Sequence, residues 1–253
     1  MIAAALALGV LIGLTLGALG GGGSILTVPA LVYLLDLTPQ EATTASLVIV
    51  GVTAGVGTAA HARHGGTRWR SGGLLALAGV PASLLGSLLN ARVDPDALLL
   101  AFAAVMTVAA VGMLLRSRGP GPVHPAPVAR RRKRAAQLVV AGLLIGFLTG
   151  FLGVGGGFVV VPALVVLLSM PMRTAVGTSL LVIALNSAVA LGARTGTGTY
   201  DWEVIVPFTV GAVVASVVSA RLAHRLPAAA LTRSFAVLLL LVAGYVAAQV
   251  LLV

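Results

Sequence analysis

The sequence predicts an all-α polytopic membrane protein made of two related halves, and three observations predict it: composition, recurring apolar segments and an internal repeat. Of 253 residues, 59% are hydrophobic and 9% charged, the mean hydropathy is +1.11, and there is no cysteine. A soluble domain of this size cannot cover so much apolar surface with one core. Apolar segments recur at 2–19, 42–60, 72–89, 97–115, 137–152, 174–191, 204–220 and 230–253. Crossing a hydrocarbon layer of about 30 Å takes about 20 such residues, so about eight crossings are expected. The first basic residue is Arg63, which leaves the first segment without the charged leader of a cleaved signal peptide, and it is expected to be retained.

The repeat emerges when the chain is slid by the 133 residues that separate Pro29 from Pro162. Gly13, Gly17, Gly20, Gly22, Gly23, Pro29, Ala30 and Leu31 then fall on Gly146, Gly150, Gly153, Gly155, Gly156, Pro162, Ala163 and Leu164. Ser46, Trp69, Ser83, Arg92 and Phe102 fall on Ser179, Trp202, Ser216, Arg225 and Phe235, and paired tryptophans are hard to obtain from aliphatic bias alone. The halves are expected at 1–116 and 137–253, joined by a Pro/Gly/Arg-rich linker at 117–136.

Charge predicts the relation between the halves. Arg63, Arg68 and Arg70 follow the second span of the first half, whereas the matching loop of the second half sets Arg194 beside Asp201 and Glu203. The next loop reverses the bias: Arg92 is diluted by Asp94 and Asp96, but its counterpart carries Arg221, Arg225 and Arg233. Cationic loops stay cytoplasmic, so equivalent loops belong on opposite faces, and the halves are expected to be inverted repeats with both termini outside. This requires that the first, glycine-containing unit of each half enter and return on one side. The net charge of +10 would point to nucleic acid in a soluble chain. Here much of it is Arg130, Arg131, Arg132, Lys133 and Arg134 ahead of a span, a topology signal, and no nucleic-acid partner is expected.

Two apolar stretches, 25–35 and 158–168, are too short to span and read as half-helices. Each follows a glycine run: Gly20, Gly21, Gly22, Gly23 and Ser24, and Gly153, Val154, Gly155, Gly156 and Gly157. Glycine costs about 1 kcal/mol per helical position relative to alanine, so the chain is expected to break there, near mid-membrane. Irregular backbone at that depth must be buried in protein or line a wet cavity. A helix that starts after the break turns free N–H groups and its positive end inward, which makes an anion site without a charged side chain. Two such sites would face a shared centre, with Ser24 and Thr27 as hydroxyl donors. The competing reading is that the glycines only let helices pack closely.

Other polar residues within spans are Thr43, Thr44, Ser46 and Thr53 in the first half and Thr178, Ser179, Asn186 and Ser187 in the second. Asn186 is the costliest to bury and lines the pathway or bonds a neighbouring helix. All six carboxylates, Asp36, Glu41, Asp94, Asp96, Asp201 and Glu203, lie at or beyond span ends, and His61, His64, His124 and His224 read as solvated loop residues. No acid–base constellation for catalysis is present, and no metal or other cofactor is expected. Without cysteine, thiolate metal sites and thiol relays are excluded.

Gly17 to Leu31 and Gly150 to Leu164 resemble the duplicated glycine-rich signature of the TauE/SafE sulfite exporter family. Ala175, Val176, Gly177, Thr178, Ser179 and Leu180 resemble its Gly-Thr-Ser segment, and Gly198, Thr199, Tyr200, Asp201 and Trp202 its loop before the third span of a half. The first half departs from this pattern, with Thr44, Ala45 and Ser46 opposite Gly177, Thr178 and Ser179, which argues against equal roles for the two halves. The resemblance implies transport of sulfur-containing anions, sulfite or organosulfonates, across the cytoplasmic membrane. The residues alone supply only a small anion in a lipid bilayer. The substrate site is therefore expected at Gly20, Gly21, Gly22, Gly23, Ser24, Thr27, Gly153, Gly155, Gly156, Gly157, Thr178, Ser179 and Asn186. A channel-like facilitator and a membrane scaffold are the alternatives, and proton coupling and a homodimer are left open.

Overall fold

A computed structural model describes residues 2–63, 65–90, 92–117, 130–152, 157–193, 200–223 and 225–252. They form the helices α1 (Ile2–Leu19), α2 (Gly22–Leu35), α3 (Pro39–Ala62), α4 (Trp69–Asn90), α5 (Pro95–Ser117), α6 (Arg130–Leu152), α7 (Gly157–Val166), α8 (Met172–Ala193), α9 (Trp202–Ala223) and α10 (Ala228–Leu252). Eight are long and apolar enough to cross a membrane, as the sequence predicts, and α2 and α7 are the two short ones. At 1.5 Å per residue α1 runs ~27 Å and α7 only ~15 Å.

The glycine break is narrower than expected. Gly22 and Gly23 belong to the first turn of α2, so the interruption is Gly20, at φ +81°, followed by Gly21. Packing offsets the low helix propensity: a Cβ on Gly23 would stand 2.7 Å from the Ile12 carbonyl oxygen and 2.8 Å from the Leu16 side chain. Gly22 neighbours Leu19 and Gly23 neighbours Leu16 and Ile12, so α2 folds back antiparallel on α1. Equivalent caps end both short helices. Asp36 and Ser169 adopt left-handed φ values of 55° and 53°, while Leu37 N–H donates to Leu31 and Met170 N–H to Leu164 at 3.1 and 3.0 Å. The six-to-one bond satisfies carbonyls that a helix end leaves open. α3 begins three residues before its predicted start because Thr38 and Glu41 form a reciprocal capping box.

The helices pair in a pattern that repeats when the halves are exchanged: α1 lies on α9, and α6 on α4. Both contacts are built from glycines four residues apart. Cβ atoms on Gly9, Gly13 and Gly17 would land on the carbonyl oxygens of Phe208, Ala212 and Ser216, and on Gly142, Gly146 and Gly150 on those of Leu75, Gly79 and Ser83. The order of contacts makes each pair parallel. In contrast, Gly51 of α3 meets Ser187 of α8 and Gly57 meets Leu180, so these counterparts run antiparallel.

Charge separates to the two ends of the bundle. Arg116 donates to the Val166 carbonyl and Arg173 to the Leu226 carbonyl, and Gly66 lies against Arg173, which gathers Arg63, Arg68, Arg116, Arg173 and Arg225 at one end. At the other end Ala5, Leu35, Leu37, Ala42 and Val204 pack together, bringing Asp36, Glu41, Asp201 and Glu203 near one another. Asn90 donates to the Phe151 carbonyl beside the turn that holds Asp94. Exposed leucines and valines such as Leu77, Leu88, Val108 and Leu241 cover the flanks, and Trp69 and Trp202 stand exposed at the starts of α4 and α9.

His61 departs from the sequence expectation of a solvated histidine. It is 2% exposed, with Nδ1 3.0 Å from the Gly57 carbonyl oxygen. The chain reverses directly after it and covers it with Gly66. His64, His124 and His224 lie outside the described residues.

The glycine ladders predict position-specific intolerance. Gly146→Val should lower the unfolding midpoint of the purified protein in detergent steeply, because overpacking against backbone costs about 1–3 kcal/mol or more. Gly55→Ala, where nothing lies within 4 Å of a new Cβ, should leave the midpoint unchanged or slightly raised.

Candidate functional site

The starts of α2 and α7 meet in the interior. A Cβ on Gly21 would fall on the Gly157 carbonyl, a Cβ on Gly157 on the Ser24 hydroxyl, and a Cβ on Gly20 would stand 3.1 Å from the Val161 side chain. Gly20 therefore lies level with Val161 and Ser24 with Gly157, so the half-helices pass antiparallel and overlap by about one turn. The two N-termini stand side by side and open toward opposite ends of the bundle, where the sequence anticipated a shared centre. Phe102 closes one flank, its ring edge-on to Phe158 at 4.9 Å.

Gly21 caps the start of α2 without a side chain, unlike Thr38 at the surface start of α3. The N–H groups of Gly22, Gly23 and Ser24 have no acceptor within their own helix. Ser24 Oγ donates back to the Gly21 carbonyl at 2.8 Å and Thr27 Oγ1 to the Gly23 carbonyl at 3.0 Å, so both predicted hydroxyl donors are engaged within α2. Because α1 ends at the same level, its carbonyl end offsets the dipole of α2 at a distance. Short-range N–H donation is what this hairpin offers an anion.

α8 forms the wall of the site. Its residues Ala175 to Ile183 are buried on every side. Gly20 touches Val176 and Ser179, and Gly157 touches Ile183, so α8 runs antiparallel to α7. Ser179 Oγ donates to the Val176 carbonyl at 2.8 Å. Asn186 lies one turn beyond Ile183, on the side toward which the first-turn N–H groups of α7 point, and its Oδ1 is buried without a partner. Its counterpart in the first half is Thr53, 1% exposed, whose Oγ1 also lacks a partner. The 133-residue offset that pairs Thr53 with Asn186 could have selected it from sequence. Thr178, fully buried, stands apart from this centre and accepts a hydrogen bond from the Arg68 N–H at 3.2 Å. Gly153, Gly155 and Gly156 lie outside the described residues.

A small cavity adjoins the site on the arginine-rich side, lined by Ala18, His61, Arg173, Val176, Ala223 and Leu231. It shares Val176 with the wall that touches Gly20. Among the described residues no three His, Cys, Asp or Glu side chains gather as metal ligands.

Residues 5–246 match the family described as Sulfite exporter TauE/SafE. A probable membrane transporter protein of Xylella fastidiosa (strain Temecula1) is 36% identical, with 94% of this chain and 92% of the relative aligned. The probable membrane transporter protein YunE of Bacillus subtilis is 25% identical over 81% of this chain and 82% of its own. A probable membrane transporter protein of Methanocaldococcus jannaschii is 24% identical over 70% and 68%. No solved structure matches. A polytopic helical bundle with two buried half-helix starts, matched along nearly its whole length, belongs to the TauE/SafE sulfite exporter family of membrane transporters.

Proposed function

We propose that the protein is a secondary transporter that exports small sulfur-containing anions, sulfite or organosulfonates, across the cytoplasmic membrane. The observation that carries this reading is the uncapped start of α2, buried against the start of α7, together with two buried polar atoms without partners, Thr53 Oγ1 and Asn186 Oδ1, on the helices α3 and α8 that pack on these half-helices. A buried polar group without a partner costs about 1–3 kcal/mol, and an anion ringed by N–H and hydroxyl donors would relieve several at once. The amide of Asn186 serves as a donor when its oxygen and nitrogen exchange places. Gly20, Gly21, Gly22, Gly23 and Gly157 leave room for the backbone to reach the ion, and Ser24, Thr27 and Ser179 hold the surrounding turns. In this reading the two starts are two subsites, one opening toward each face, between which the anion passes as the halves rock.

The orientation follows the same reading. Inverted repeats are supported by the antiparallel pairs α3 with α8 and α2 with α7, and the arginine-rich end is cytoplasmic by the positive-inside rule. Both termini are then outside. Trp69 and Trp202, at opposite ends, suit the two lipid interfaces.

In proteoliposomes, labelled sulfite or a simple sulfonate should move faster than acetate or phosphate. Asn186→Leu and Thr53→Val should each cut that flux about ten-fold, the loss of a buried donor, at unchanged protein content. Equal flux of all anions, or full activity in both variants, would remove the proposed site; rates above carrier turnover would make it a channel.

Orientation is tested separately in cells with single cysteines in an otherwise cysteine-free chain. Arg225→Cys should be shielded from an impermeant thiol reagent added outside, and Asp94→Cys should react. The opposite pattern would reverse the assignment.

A further inference from the structure

The turn between α3 and α4 is drawn into the bundle. Gly65 takes φ +70°, and the N–H of the buried Gly66 donates to the His61 carbonyl at 3.0 Å. A Cβ on Gly177 of α8 would stand 2.6 Å from the Gly66 carbonyl oxygen, 2.8 Å from Thr67 Oγ1 and 3.0 Å from His61 Cβ, so only glycine lets the turn approach α8. The contact ends on the bond from the Arg68 N–H to Thr178 Oγ1, which ties residues 110 apart in the chain.

This turn presses on the backbone of His61 and Arg173, two of the residues that wall the small cavity. On its inner side the cavity ends at Val176, which touches Gly20. The turn thus packs on the backbone of two residues of the cavity wall without lining the cavity itself, and another wall residue, Val176, meets the helix break. Among the described residues the second half has no such bond. Ala45 stands where Thr178 would have its counterpart and offers no acceptor, and Asp201, the counterpart of Arg68, caps α9 through its Oδ1, which accepts from the N–H of Glu203 and of Val204. A device present in only one of two repeated units is not required to build the unit.

We propose that residues 65–68 are the gate at the arginine-rich mouth of the anion route and that Thr178 is its latch. Thr178 is then a positioning residue that acts through the turn, and the water-sized cavity beside the turn marks the path that widens when the turn lifts. Among the described residues one neutral hydrogen bond ties the turn to α8, which keeps it closed yet releasable on thermal timescales. The nature of the cargo rests on the transport reading above; the gate itself rests on geometry.

The chain has no cysteine, so Val176→Cys supplies a single thiol in the cavity wall. Its rate of modification by a charged, membrane-impermeant thiosulfonate added at the arginine-rich face reports the gate without any anion present. Thr178→Val, which keeps the shape and removes the acceptor, should speed modification about ten-fold, and Thr178→Ser should not. Arg68→Pro deletes the donor N–H at the entrance of α4 and should act like Thr178→Val while leaving α8 untouched. A second reporter, Tyr200→Cys at the acidic end, probed with the same reagent added at that face, should react at its parent rate in every background. Unchanged modification of Val176→Cys in both gate variants would overturn the proposal, as would equal acceleration at Tyr200→Cys, which marks general loosening. Acceleration at Val176→Cys in a protein that moves no sulfur anion would leave the gate standing and refute only the cargo.

Discussion

Inside a bilayer a leucine gains little by exchanging lipid for a neighbouring helix, so burial of apolar surface does not decide which helices touch. Close approach of backbones does. In this protein it is concentrated in two ladders, Gly9, Gly13 and Gly17 against α9 and Gly142, Gly146 and Gly150 against α4. Each ladder brings the first helix of one half onto the fourth helix of the other, so neither half can assemble its core alone. The hairpins that follow, α1 into α2 and α6 toward α7, are thereby delivered to the middle of the bundle. Every later feature of the site depends on that delivery.

A second constraint acts once the hairpins are there. Backbone N–H groups at a helix start must be satisfied, and in hydrocarbon neither water nor lipid does it. At the surface Thr38 and Glu41 solve this for α3 with side chains. At the centre Gly21 offers none, and the hydroxyls of Ser24 and Thr27 turn back onto their own helix. Donors without an acceptor in their own helix, and the unpartnered polar atoms of Thr53 and Asn186 on the helices packed around them, are the basis of the proposed anion site. The proposed site uses no charged side chain, so an ion there would be held by many modest bonds and able to leave.

Much of this was legible in the sequence because lipid imposes a simple code. Segment length and hydropathy located the eight spans, and the 133-residue offset marked which helices correspond. Propensity alone argues for one long break over the glycine run, yet Gly22 and Gly23 are helical since close packing on Ile12 and Leu16 outweighs the cost. His61 sits at a helix end, where solvent is the ordinary neighbour. Its burial depends on the next turn folding inward over it, and nothing local to His61 encodes that. Thr178 shows the same limit: a threonine within a span reads as lining, and only the arrival of Arg68 from another helix pair makes it an acceptor. Thr53 was legible through its match to Asn186, but a single threonine is a common helix residue and draws no notice until its oxygen is found unpaired.

The central claim is that the paired helix starts bind a sulfur oxyanion, and binding can be read without transport. Thermal unfolding of the purified protein in detergent, with sulfite, a small sulfonate, acetate or phosphate at graded concentration, measures it directly, since a ligand held only by the folded state raises the midpoint by mass action. The account predicts a saturable rise with sulfite or the sulfonate, and loss of that rise when Thr53 and Asn186 are replaced together by valine and leucine. Equal shifts for all four anions, or a sulfite shift that survives the double replacement, would contradict it.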